Sequence, residues 1–144
     1  MNTTNNVVAP CGLACFLCDI YEKNLTSELA ETIHNKMGVP KDAIGCKGCR
    51  QQDGNHFHLG SEGCATLNCV KAKGVDMCSE CDDFPCELLA PTADQAKSYP
   101  HNMKVYNLCR IKKVGIEKWA KDEATTIREK YFGAKFVVGK GQAD

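Results

Sequence analysis

The chain has 144 residues, 18 Lys/Arg against 18 Asp/Glu, 11 cysteines and an aromatic content of only 7%. That is one domain's length with a lean apolar complement, so metal ligation or cross-links must supply stability that a larger core would otherwise give. No run approaches the ~20 apolar residues of a membrane span, and the charge is split. Residues 1–96 hold seven basic against 13 acidic side chains and residues 97–144 hold 11 against five, so the cysteine-bearing part repels a phosphate backbone and argues against a nucleic-acid partner.

Residues 1–10 show neither a basic n-region nor an apolar h-region, so the expectation is a cytoplasmic chain in a reducing compartment. Clustered cysteines there read as metal ligands and not as a disulfide framework. The first cluster, Cys11, Cys15 and Cys18, opens a predicted helix over Gly12–Lys23. Leu13, Phe16, Leu17, Ile20 and Tyr21 repeat at helical spacing there, which would put the three thiols on one face. A second helix is predicted from the cap Thr26 to Met37, with Leu25 and Ala30 as a hydrophobic staple and Gly38 and Pro40 as its stop. Its stripe is Leu29, Ile33 and Met37, and His34 beside it reads as an ordinary, partly exposed histidine.

Residues 39–60 read as irregular, with Gly45, Gly48, Asp53-Gly54 and Gly60 as turn signals. This stretch carries Cys46 and Cys49. It also carries His56 and His58, which could replace a thiol as ligands but are surplus beside ten cysteines. Ser61–Lys73 reads as a short helix holding Cys64 and Cys69 and closed by Gly74. Val75–Phe84 is a metal loop with Cys78 and Cys81, and Pro85 fits a first helical position before Cys86. Breaks at Ala90-Pro91 and Tyr99-Pro100 separate a cysteine-rich module, residues 1–96, from a helical segment of the same domain, residues 97–144. Two helices are predicted in that segment. One spans Asn102–Val114 with Val105, Leu108, Cys109 and Lys112 on one side, and the other spans Ile116–Phe132 up to Gly133. Phe136-Val137-Val138 is a short strand or tail.

The cysteine spacings carry the chemistry. Cys46-Lys47-Gly48-Cys49 and Cys78-Ser79-Glu80-Cys81 are C-x2-C turns, in which one tight loop delivers two thiolates at ~2.3 Å to zinc. Gly48 tolerates the positive φ that turns backbone N–H groups toward sulfur. The simplest partition places Cys46, Cys49, Cys64 and Cys69 around one zinc. The other six, Cys11, Cys15, Cys18, Cys78, Cys81 and Cys86, suit one tetrahedral zinc with two thiols spare, a two-metal centre, or a cubane. The expectation is therefore about two zinc ions. Thiolates alone do not separate zinc from iron, so an iron–sulfur or thiol redox protein is the alternative.

Catalytic readings are weaker. The C-x3-C-x2-C spacing also serves radical S-adenosylmethionine enzymes, but the alternating strands of their barrel are missing. An all-thiolate zinc is closed and a poor Lewis acid. A thiolate nucleophile would need an unligated cysteine of depressed pKa. Glu80, Asp82 and Asp83 read as solvated loop charges, and Cys109 as a small buried hydrophobe. Arg110, Lys112, Lys113, Lys118, Lys121, Arg128 and Lys130 read as a solvated basic face with the acidic module as its counterpart.

Cys11-Gly12-Leu13-Ala14-Cys15-Phe16-Leu17-Cys18, Cys46-Lys47-Gly48-Cys49-Arg50, Cys64 through Cys69, and Cys78 through Cys86-Glu87 together resemble the domain of unknown function 3795 family. Asn107-Leu108 and Gly115 through Trp119 resemble that family's downstream helices. The resemblance implies a zinc-binding protein of the prokaryotic cytoplasm in which the ten cysteines are ligands, and it brings no catalytic residue with it. The expected architecture is mainly α: a small, irregular, metal-stapled cysteine-rich module with zinc-knuckle turns, packed on a C-terminal helical hairpin. The expected role is a protein-interaction module without enzymatic activity, with a protein partner and no membrane.

Overall fold

A computed structural model of the chain describes residues 3–59, 63–89, 103–133, 136–137 and 141–142. The fold is mainly helical. Helix α1 (Thr3–Val7) leads into the first cysteine cluster, and α2 (Ser27–Met37) forms as its end signals predict. The Thr26 hydroxyl oxygen accepts from the Leu29 N–H at 3.2 Å, and Gly38 stops the helix at φ 69°. None of the α2 side chains is buried, and Met37 is 60% exposed.

The helix predicted over Gly12–Lys23 does not form. Gly12 takes φ +87°, which no helix interior accommodates, and the Ala9 N–H bonds the Leu13 carbonyl at 2.9 Å, folding the chain back on itself. Cys15–Leu17 then makes a single 3-10 turn. Cys11, Cys15 and Cys18 are therefore placed by turns and not by a helix face. Helix α3 (Ala65–Lys73) follows Cys64 and ends at Gly74, φ 67°. Pro85 does not open a helix. It follows a cis Phe84-Pro85 bond and precedes a 3-10 turn, Glu87–Leu89.

Helix α4 (Lys104–Val114) ends at Gly115, as predicted. Its buried face is Lys104, Asn107, Leu108 and Ile111, which keeps Leu108 of the predicted stripe but lies one position round from it, so Cys109 is exposed instead of buried. A Cβ on Gly12 would stand 2.9 Å from Leu108 Cγ and 3.0 Å from the Lys104 carbonyl oxygen, so the first cysteine loop lies directly on α4. The Asn107 amide adds a hydrogen bond to the Gly12 carbonyl at 2.9 Å.

Beyond Gly115, the single predicted helix is three consecutive pieces: α5 (Ile116–Lys118), a π turn (Trp119–Glu123) and α6 (Ala124–Gly133). Arg110 on α4 grips Glu123 through two hydrogen bonds, 2.8 and 2.6 Å. Two short strands, β1 (Phe136–Val137) and β2 (Gly141–Gln142), pair antiparallel. One apolar core joins early and late parts of the described chain, with Val8, Cys11, Leu67, Val70 and Cys78 meeting Leu108, Ile111 and Trp119. Among the described residues no helix is long and apolar enough to cross a membrane. The expected breaks at Ala90-Pro91 and Tyr99-Pro100, the 96/97 boundary, the helix starts at Ser61 and Asn102, and Val138 lie outside the described residues.

Gly12→Ala is expected to destabilise the fold by about 1–3 kcal/mol, because the added methyl meets a helix backbone it cannot displace. Chemical denaturation at constant metal content measures it, and an unchanged midpoint contradicts the close packing.

Candidate functional site

Three C-x2-C turns organise the cysteines. In Cys15-Phe16-Leu17-Cys18 the Cys18 N–H bonds the Cys15 carbonyl at 3.0 Å, and in Cys78-Ser79-Glu80-Cys81 the Cys81 N–H bonds the Cys78 carbonyl at 3.2 Å. In Cys46-Lys47-Gly48-Cys49 the Gly48 N–H points at Cys46 Sγ, 3.3 Å away, with Gly48 at φ +96° as its chemistry requires. Backbone bonds tie the turns together. Cys46 N–H to Ile20 O and Glu22 N–H to Cys46 O, both 2.8 Å, join the first to the second, and Cys78 N–H to Pro10 O, 2.9 Å, joins the third to Cys11.

Arg50 completes the frame. Its Nε donates to the Val8 carbonyl at 3.1 Å, while a terminal nitrogen reaches the Asp76 carbonyl and Met77 Sδ. Glu80 is likewise more than a solvated charge, since its carboxylate accepts from the Asp76 and Met77 N–H groups at 2.8 and 3.0 Å.

Four of the ten clustered cysteines share a hollow, and they are not a set that the simplest partition by sequence puts together. Cys69, Cys78, Cys81 and Cys86 line one small hollow of about 20 Å³, walled by Val70, Phe84 and Leu89. Cys69 thus sits with the third turn and not with Cys46, Cys49 and Cys64. Lys73 stands at the rim, its ammonium on the Asp83 carboxylate and the Cys81 sulfur, and both contacts hold its proton more tightly.

The other six are Cys11, Cys15, Cys18, Cys46, Cys49 and Cys64. Burial pushes the thiol of Cys15 up, and the neighbouring Cys49, Cys11, Cys46 and Cys18 push it further. Burial also raises Cys49, to about 12, with Cys11, Cys64 and Cys46 contributing. Cys78 likewise rises to about 12, by burial and then by Cys11, Cys86, Cys69 and Cys81. Cys11 is raised by burial against the opposing pull of Lys104, a lysine only 9% exposed.

Thiols in this condition stay protonated at neutral pH unless a cation takes the proton's place. A hollow of about 20 Å³ holds one atom-sized guest. The donor set therefore suits a soft or borderline metal ion by chemistry and by size. Among the described residues no three His, Cys, Asp or Glu side chains already stand at ligand spacing, so ligation requires the thiols to close inward. Cys109 takes no part, and His56 and His58 lie in the loop between Cys49 and Cys64.

Residues 7–91 match the family described as "Protein of unknown function (DUF3795)". The chain belongs to that family. No curated protein and no solved structure shows significant similarity to it. The matched span covers all ten clustered cysteines and stops before α4. Arg50, Lys104 and Asn107 escaped the sequence reading as parts of the site. The carbonyls and thiols they serve come from remote segments, and no local pattern marks them.

Iodoacetamide at neutral pH is expected to label Cys109 first, roughly tenfold or more faster than Cys11 or Cys15, because exposure and thiolate formation both set the rate. Peptide mapping of the folded, reduced protein measures it, and preferential labelling of Cys11 would contradict the burial described.

Proposed function

We propose that this family member is a zinc-binding protein of the cytoplasm. Two all-thiolate sites staple its cysteine-rich module against the C-terminal helices, which form a hairpin upon it, and the module presents a docking surface for a protein partner. The observation that carries the reading is the atom-sized hollow lined by Cys69, Cys78, Cys81 and Cys86. Four thiols around one such space are the donor set of a closed structural zinc.

The second site is assigned to Cys15, Cys18, Cys46 and Cys49. Support comes from the backbone pairing of Ile20 and Glu22 with Cys46 and from the mutual influence of these thiols. Cys11 and Cys64 stand next to this set as spare or bridging ligands. Bound zinc would hold thiolates at neutral pH where the folded chain alone favours thiols, and its bonds would add the stability that the small core lacks. An all-thiolate shell leaves no open position, which favours a structural over a catalytic role.

The partner reading rests on a groove of about 560 Å³ between the third cysteine turn and the end of α4. Met77, Phe84, Ile111 and Ile116 contribute apolar lining, while Asp76, Glu80 and Asp82 outnumber the one lining cation, Lys112. Such a groove fits a basic segment anchored by an apolar side chain.

Elemental analysis of anaerobically purified, untagged protein should find about two zinc per chain and no visible colour. Cys81→Ser with Cys86→Ser should lose one zinc and lower Tm by ~10 °C, whereas Cys109→Ser should keep both. Iron with sulfide and absorption near ~400 nm would overturn zinc in favour of a cluster. For the groove, a peptide array should select Lys/Arg-flanked apolar sequences that lose binding to the Asp76→Lys, Asp82→Lys protein. Selection of acidic peptides would contradict the charge argument.

A further inference from the structure

A second kind of donor pair lies outside the thiol groups. His56 is 6% exposed, and its Nε2 lies 3.0 Å from the carbonyl oxygen of Ile44, a residue with no exposure at all. A carbonyl can only accept, so Nε2 carries the proton and the lone pair of the neutral ring sits on Nδ1. That Nδ1 faces Nδ1 of His58, with the two rings edge to face and their centroids 4.5 Å apart. A buried imidazole whose far nitrogen is fixed by a backbone carbonyl, and whose near nitrogen points at a second imidazole, has the second-shell arrangement of a metal-bound histidine.

The loop that carries the pair is firmly held. The Gly54 N–H bonds the Cys49 carbonyl at 2.8 Å, and a Cβ on Gly54 would stand 3.0 Å from the Cys64 nitrogen. His58 is exposed, giving an ion access from solvent, while His56 supplies the rigid side.

We propose that His56 and His58 form an imidazole-only site for a borderline divalent ion such as Zn²⁺, Ni²⁺ or Cu²⁺, separate from the thiolate sites. In the ion-free chain the His58 Nδ1–H donates to His56 Nδ1. On binding, His58 shifts its proton to Nε2, so both rings stay neutral and both Nδ1 lone pairs turn to the ion. Two imidazoles fill two positions, and water or an outside ligand fills the rest, making the site exchangeable where an all-thiolate site is closed.

The test is a Ni²⁺ titration of the protein as purified, with its resident metal measured beforehand and kept. The proposal expects one added Ni²⁺ per chain without a sulfur-to-metal charge-transfer band. It expects binding weakened at least about tenfold in His58→Gln, an exposed position that leaves folding intact, and unchanged in His34→Gln. Absence of any added Ni²⁺, equal binding by His58→Gln, or a sulfur charge-transfer band would each overturn it and leave the pair as a plain hydrogen bond.

Discussion

Ten thiols crowded around a small apolar core are the constraint on which the rest of this molecule depends. A buried thiol is inexpensive as long as it keeps its proton, and the raised pKa values of Cys11, Cys15, Cys49 and Cys78 express that preference. Crowding makes ionisation harder still, because each new thiolate would face its neighbours at short range. The chain thus stores donors that only a cation can switch on together. Lys104, Lys73 and Arg50 stand around the thiol groups as fixed positive charges, though none can replace an ion shared by four sulfurs.

The two ends of the chain are joined through this crowded region and not beside it. Gly12, between Cys11 and Leu13, lies so close to α4 that a side chain there would meet Leu108 and the Lys104 carbonyl, and Arg50, directly after Cys49, reaches across to the strand of chain before Cys78. Trp119 is fully buried in the same core as Cys11 and Cys78. Rearrangement of the sulfurs must therefore be felt by α4 and the π turn that follows. Asn107 carries part of that coupling, with its amide nitrogen on Gly12 and its Oδ1 buried without a partner among the described residues.

Capping chemistry makes much of the fold legible in the sequence. Thr26, Gly38, Gly74 and Gly115 mark the helix ends where they occur, and Gly48 foretold the N–H to sulfur contact of its turn. The failures share one cause. Leu13, Phe16, Leu17, Ile20 and Tyr21 repeat at a helical period, yet only Tyr21 of the five is buried. The left-handed Gly12 then overrides the period locally. Cys109 is exposed because the face of α4 that meets the first cysteine loop lies one position round from the stripe its own sequence suggests. The division of the cysteines was out of reach for the same reason, since Cys69 is drawn from Cys64 by the turn of α3, one position facing each group. Family membership followed from the joint spacing, which is local. The hollow, the Arg50 frame and the facing histidines are tertiary, and no spacing encodes them.

The surface helix α2 has a consequence for handling the protein. The chain leaves the cysteine frame at Tyr21 and returns at Cys46, and these two residues are bridged directly, so the whole excursion is closed at its base. Nothing on α2 is buried, and Met37-Gly38 lies at its far tip. An epitope or fluorescent reporter inserted there would ride outside the sulfur frame, leaving both of its neighbouring turns in register.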